Sequence, residues 1–410
     1  MARTKAALGA GARLSDYLSA SLLARAFPSD SVAACLDRHG RNSKRLRDFH
    51  ATAGVYYCMA LSLYPEASYE SVFSVISSGL AWSAGQPSAP TIAKSSISAL
   101  RTKIGWQPLK ELMHEHCLPM AHEASHPEAF YAGLRVVAID GSNFELPDEA
   151  ANVEAFGYPG SRTGHAGYPQ AQCAVLVECA THAIFGAEIG PYGTEEFKLC
   201  KPLLDKLNPS MLCLADRGFR GHSRWSAALE SGAQLLWRVS TGQHLAVQKL
   251  LPDQSFLSQL APSTGRRDER RAQAITVRVI DYELPNAKAE MTAYRLVTSL
   301  LDQDKAPAQE LALLYHQRWE IEGVFDELKT HLVQTRRVLR SKTPDLARQE
   351  FYGWVMAHYA VRWLLHQGVS AHKMRHAEQS FVAHLNMLRI NQPTSGAFSP
   401  SKAKKAKALV

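Results

Sequence analysis

From Leu14 to about Pro127 the apolar positions recur at helical spacing. Thr52 to Tyr64 is a compact apolar segment, Tyr69 to Trp82 carries a broken apolar stripe, and Ser15 and Ser29 stand where helix caps are expected. A run of small residues and prolines, SAGQPSAP, precedes a further helical pair, TIAKSSISALRTKIG and WQPLKELMH, with a glycine between them. That pair fits a loose helix-turn-helix that contacts DNA, and fits equally a helical bundle with a solvated basic face, given the cluster Arg41, Lys44, Arg45 and Arg47.

At Leu134 the pattern changes. LRVVAID reads as a buried strand ending in Asp140; QCAVLVECA and HAIFGAEIGPYG follow as strands around a turn at Thr181-His182, and TEEFKLCKPLLDKL as a helix with Thr194 as cap. SMLCLAD is a second buried strand ending in Asp216, before a helix, RWSAALESG, and a strand, QLLWRVS. Such alternation predicts an α/β fold, a mixed sheet covered by helices. Residues 244–300 turn β-rich and read as an insertion, with ITVRVIDYEL at period two and TAYRLVTSL after it. Helices from Tyr315 to Val333 and from Asp345 to His366 close the core. The expected division is an all-α N-terminal domain over 1–128, a catalytic core over 129–243 and 301–370, the β-rich insertion over 244–300, and a C-terminal helical segment with a basic tail over 371–410.

Composition narrows the class of protein. With 410 residues, 46% hydrophobic and 20% charged, the chain buries a large core, which excludes wholesale disorder. A net charge of +8 favours a polyanionic partner; Lys402, Lys404, Lys405 and Lys407 crowd into the tail. The longest uncharged stretch, Ser71 to Ala93, is broken by glycines, prolines and serines, so no membrane span is expected. The start of the chain lacks a signal-peptide core. Seven cysteines without a C-x-x-C pair point to reduced thiols and a cytoplasmic location.

The densest chemistry lies in YHQRWEIEGVFDELK. On an α-helix Tyr315, Arg318, Glu322 and Lys329 fall within about 60° of arc, a column of one phenol, two cations and one carboxylate. Leu314, Ile321, Val324, Phe325, Leu328 and Leu332 occupy the neighbouring arc and are expected to be buried; Glu320 and Glu327 are expected to point toward solvent, and Asp326 stands close to the column. Adjacent strands can carry Asp140 and Asp216 to one sheet edge. With Glu322 these form three hard oxygen ligands suited to two Mg²⁺ (or Mn²⁺) ions serving phosphodiester chemistry, with Arg318 and Lys329 gripping phosphates.

The spacing Y-x2-R-x3-E-x6-K, held by Tyr315, Arg318, Glu322 and Lys329, resembles the signature of the insertion element four family of bacterial DDE transposases. Asp140 in IDGSNFELP and Asp216 in ADRGF resemble that family's other two acidic motifs. The resemblance implies a ribonuclease H-like catalytic core, with Asp140, Asp216 and Glu322 as catalytic metal ligands. It implies excision through a DNA hairpin and joining of the freed 3′-OH to target DNA. The partners would be double-stranded DNA, as terminal inverted repeats and target, bound by a homodimer. Some relatives stack a tryptophan of the insertion on a flipped base; here Tyr294 stands in its place. Trp237 reads as core.

Other residues carry weaker signals. Tyr315 either touches DNA or packs beside Trp319; Arg217, and Arg162 with His165, either contact phosphates or are solvated. HEHC at His114 to Cys117, with His122 and His126, lacks any zinc-site spacing. No phosphate-binding G-x-x-x-x-G-K-[ST] run is present. Two other readings stay open, a DNA-binding repressor without transposition and a metal-dependent nuclease without strand transfer.

Overall fold

A computed structural model describes residues 19–43, 49–83, 92–161, 164–165, 167–219, 221–285, 291–332, 338–372, 374–376 and 379–390. Lys44, Arg45, Arg47, Arg162 and the lysine-rich tail lie outside these residues.

Six helices come first: α1 (Ser19–Ala26), α2 (Ser29–Arg38), α3 (Ala51–Leu63), α4 (Tyr69–Ser83), α5 (Lys94–Ile104) and α6 (Gln107–His116). Helix α3 is apolar nearly all round, with all its residues but Thr52 buried, as befits a helix at the centre of a layer. Its neighbour lies far along the chain. The 29-residue α13 (Pro344–His372) runs against it, so closely that a Cβ on Gly353 would lie 2.6 Å from the Cys58 carbonyl oxygen. Only glycine permits that backbone contact.

Between these helices the chain builds one sheet from a hairpin β1 (Phe130–Tyr131) and β2 (Leu134–Glu145), then, after α7 (Ala150–Phe156) and the short pair β3 (Gly160–Ser161) and β4 (Gly164–His165), from β5 (Gln170–Glu178) and β6 (Ala183–Pro191). Next come α8 (Glu196–Cys200), β7 (Met211–Ala215), α9 (His222–Leu229) and β8 (Gln234–Val239). Strand order is β6-β5-β2-β7-β8; β7 and β8 run parallel to β2, β5 runs antiparallel to it, and β6 pairs antiparallel with β5.

Both sheet faces are covered, which is why LRVVAID is apolar without alternation. Val136 and Ala138 join the core beneath the large helical layer; Val137 and Ile139 join the core beneath α8 and α9, where Trp225 and Trp237 meet edge to face at 5.0 Å. Trp237 is core, as expected.

The expected insertion does not stand apart. β9 (Lys249–Leu250), β10 (Phe256–Leu260), α10 (Arg267–Ala272), β11 (Ile275–Pro285) and β12 (Met291–Thr298) extend the same sheet, because β12 pairs with β8 from Arg295–Val239 to Thr298–Leu236. The expected single helix from Tyr315 is also corrected. It divides into α11 (Ala308–Tyr315), a 3₁₀ turn (His316–Trp319), α12 (Glu320–Asp326) and a π-helical turn (Glu327–Leu332). After α13, α14 (Phe381–Ile390) ends the described chain.

The pair of helices expected around a glycine is present. Helices α5 and α6 flank Gly105, at φ +71°, and Lys110 of α6 reaches Glu188 of the sheet at 2.7 Å, while Glu111 and Glu115 are engaged by Arg38. All seven cysteines are free and buried, and among the described residues no helix is long and apolar enough to cross a membrane.

Candidate active site

Strands β2 and β7 run parallel in a register that pairs Ile139 with Ala215. The next residue on each is an aspartate, so Asp140 and Asp216 lie side by side where β7 ends; β2 itself, expected to end at Asp140, runs on to Glu145. Helix α12 brings the third acid. Arg318 lies 2.9 Å from Asp140 and 3.7 Å from Glu322, so one buried guanidinium bridges acids from β2 and α12. Burial pushes the Asp140 carboxyl up, Arg318 pulls it down, and Asp216 and Glu322 push it up again. The three acids therefore share one electrostatic field.

The rest of the column separates by burial. Lys329, half-buried, donates to the Ser142 hydroxyl two residues beyond Asp140, and its burial lowers the ammonium pKa. Arg318 is 4% exposed and rests on Asp140 rather than standing open to solvent. Tyr315, expected either to touch DNA or to pack beside Trp319, is 1% exposed, and its hydroxyl donates to the Ala215 carbonyl at 3.2 Å, bracing the strand end beside Asp216. The six apolar positions named for the neighbouring arc are all buried.

Glu327 is a second correction, since it is 4% exposed instead of solvated. The π-helical turn rotates it out of α-helical phase and onto α13. There Arg362 donates to both carboxylate oxygens, with Nε at 2.9 Å, and His358 Nε2 lies 2.8 Å away. His182 touches Glu327 at 3.1 Å through Nδ1 and Glu320 at 2.8 Å through Nε2, so both flanks of Glu322 are tied to one histidine. Gly323 admits that ring; a Cβ there would lie 3.3 Å from His182 Cε1. Asp326 faces outward and pairs with His331 at 3.1 Å.

A fourth carboxylate, which sequence spacing did not reveal, belongs to Glu196 at the start of α8. Its oxygens lie where Cβ atoms on Gly141 and Gly218 would otherwise sit, the first at 2.6 Å. This gives the glycines of Asp140-Gly141 and Asp216-Arg217-Gly218 a physical reason, because any side chain there would displace the carboxylate. Burial raises the Glu196 pKa, and repulsion from Asp140 and Asp216 raises it further. The signal was a pair of glutamates in a first helical turn, which reads equally as dipole pairing.

Outlying candidates fare differently. Arg217 is exposed next to Asp216, whose Oδ1 accepts its backbone N–H at 2.6 Å. Tyr294 is paired across the strands with Tyr282, stacked at 5.3 Å and 17°, and the Arg238 guanidinium lies 4.5 Å from its ring centre. A base seeking that ring would have to compete with these neighbours.

Comparison with known proteins places this geometry in a family. Residues 131–360 match the Transposase DDE domain, and residues 18–114 match the Insertion element 4 transposase N-terminal family. The chain is 26% identical over 368 residues to Transposase InsG for insertion sequence element IS4 of Escherichia coli (strain K12), covering 85% of this chain and 75% of that one. To Putative transposase InsZ of the same organism it is 22% identical over 167 residues, covering 40% of this chain and 56% of the relative. A cryo-EM structure of the piggyBac transposase synaptic complex with hairpin DNA is similar at TM-score 0.46 and 11% identity, covering 98% of this chain and 84% of that one. Since the first family match spans more than half of its length, the chain belongs to the DDE transposases, of the insertion element four type.

Proposed function

We propose that this transposase cuts double-stranded DNA at the ends of an insertion sequence and joins the freed 3′-OH ends to target DNA, with Asp140, Asp216 and Glu322 as metal ligands in a ribonuclease H-like core. The observation that carries the reading is the Ile139–Ala215 register, which sets two aspartates together, with Arg318 bridging one of them to Glu322. The strand order supports the core assignment: three antiparallel strands beside two parallel ones, with the first acid on the central strand.

The donor set suits the ions. Three carboxylates offer hard oxygens, and a buried guanidinium already answers the local demand for positive charge. A pair of Mg²⁺ or Mn²⁺ ions, when bound, would neutralise the reacting phosphate and raise the acidity of the attacking hydroxyl. Asp140 within β2 and Asp216 just past the end of β7 hold ligand oxygens on a rigid sheet, Glu322 closes the site from α12, and Arg318 and Lys329 add fixed positive charge for phosphate oxygens. Excision through a DNA hairpin belongs to the same proposal, as does a homodimer, because two ends joined in concert require two such sites.

Duplex DNA carrying the element ends, incubated with the protein and Mg²⁺, tests the reading. Glu322→Gln should slow cleavage by at least about 100-fold; a variant cutting at the parental rate would overturn the assignment. Denaturing gels read the hairpin, and joined plasmid products separate a transposase from a plain nuclease.

A further inference from the structure

We infer that His126, His366 and His376 form a structural site for one transition-metal ion of zinc type, separate from the carboxylate site. The three belong to different segments: His126 to the turn before β1, His366 to the last turns of α13, and His376 to the segment between α13 and α14. Their ligand nitrogens all lie within 4.8 Å of one another. Tetrahedral zinc with bonds of roughly 2.0–2.1 Å needs neighbouring nitrogens about 3.4 Å apart, within reach of small side-chain rotations.

The surroundings resemble a ligand shell more than a chance contact. His126 and His376 are 3% and 4% exposed. His376 Nε2 meets His366 Nδ1 at 2.9 Å, so its other nitrogen, Nδ1, points away from the cluster; that atom has no hydrogen-bond partner, and the Glu128 carboxylate lies 3.6 Å from it. His126 Nδ1 is within 2.9 Å of the Ser125 hydroxyl, while its Nε2 faces Ser370, one turn beyond His366, at 3.4 Å. Two of the three imidazoles thus have a polar group at the outer nitrogen and turn the inner one to the shared space, the arrangement that fixes tautomer and basicity in metal-binding histidines.

The protonation states agree. Burial lowers His366 to about 4 and His376 to about 3, so both are neutral at physiological pH, as ligands must be. Two arginines, Arg362 and Arg375, line the cavity beside His376, and Arg362 is engaged by Glu327. A cavity of about 240 Å³ reaches His376, with Glu128, His182 and Glu320 also in its wall. Three nitrogens favour zinc over the Mg²⁺ suited to the carboxylates. Bound there, the ion would pin the connection into β1 to the end of α13 and the approach to α14.

The test uses the full-length chain, stripped with chelator and titrated with Zn²⁺ and, separately, Co²⁺ in excess Mg²⁺. One Zn²⁺ per chain, tetrahedral Co²⁺ absorption bands and a raised melting temperature are expected, all retained by Asp140→Asn. His376→Gln should abolish the bands. Glu128→Gln, at a part-exposed position that does not threaten folding, should weaken Zn²⁺ binding about 10- to 100-fold. Absence of the bands in the parent, their loss in Asp140→Asn, or parental affinity in Glu128→Gln would each overturn the site. None of these readouts depends on DNA cleavage, so failure here leaves the carboxylate assignment intact.

Discussion

Glu327 and Arg362 form a buried pair in which the guanidinium donates to both carboxylate oxygens, joining the π-helical turn to α13. Because Glu327 stands five residues past Glu322, this pair and the His182 contacts to Glu320 and Glu327 hold the helix that delivers the third acid. Arg362→Met would leave the Glu327 carboxylate buried without its main counter-charge. A loss of about 3–5 kcal/mol in denaturant unfolding is expected. A loss below about 1 kcal/mol would show that His358 and His182 suffice.

Glu196 makes a prediction of opposite signs. Replacing it with glutamine removes repulsion against Asp140 and Asp216, so the metal-free protein should gain stability. The same change should weaken Mg²⁺ or Mn²⁺ binding by about 10- to 100-fold if the carboxylate serves the ions directly or through their ligands. Thermal melts with and without metal read both effects in one experiment. Unchanged affinity would reduce Glu196 to a spacer between the two glycines.

How much of this was legible beforehand depends on the range of the interactions. Asp140 and Asp216 were readable because each ends an apolar run, and strand pairing converts that pattern into adjacency. The six apolar residues around α12 were readable from helical period alone. Glu327 was misplaced because a π-turn breaks that period, and no local signal marks one in GVFDELK. Tyr315 reads two ways because a wheel gives the direction of a side chain and not what packs over it; here its hydroxyl meets the Ala215 carbonyl. The histidine cluster was invisible for a simpler reason. His126 stands 240 residues before His366, and metal-site spacing rules look for neighbours.

Tyr315→Phe separates a structural tyrosine from one that touches DNA. Losing the hydroxyl forfeits one buried hydrogen bond, so unfolding free energy should fall by about 0.5–1.5 kcal/mol. Affinity for end-bearing duplex DNA should stay within twofold at fixed salt. A drop in affinity without a drop in stability would restore the contact assignment.

Three histidines, His358 and His376 buried and His366 half-buried, set an acid limit on stability. Burial lowers His358 to about 3, His366 to about 4 and His376 to about 3, against roughly 6.5 in the unfolded chain. His182 adds to the effect at His358 and His376, and His126 at His366 and His376; Glu178 opposes it at His366, and Arg362 reinforces it at His376. Since the unfolded state binds protons first, the stability these groups provide is complete above pH 6.5 and declines as pH falls toward their folded values. Asp140 and Glu196, whose pKa values are raised, act in the other direction, while His316, lowered by burial, adds to the histidine side. In chelator-treated protein, unfolding free energy should fall between pH 6.5 and 5, each histidine contributing on the order of 1.4 kcal/mol per pH unit. Proton uptake on unfolding at pH 5.5, measured by calorimetry in buffers of different ionisation enthalpy, checks the sign. Release of protons, or stability that stays flat over this interval, would mean that these imidazoles are charged in the folded protein.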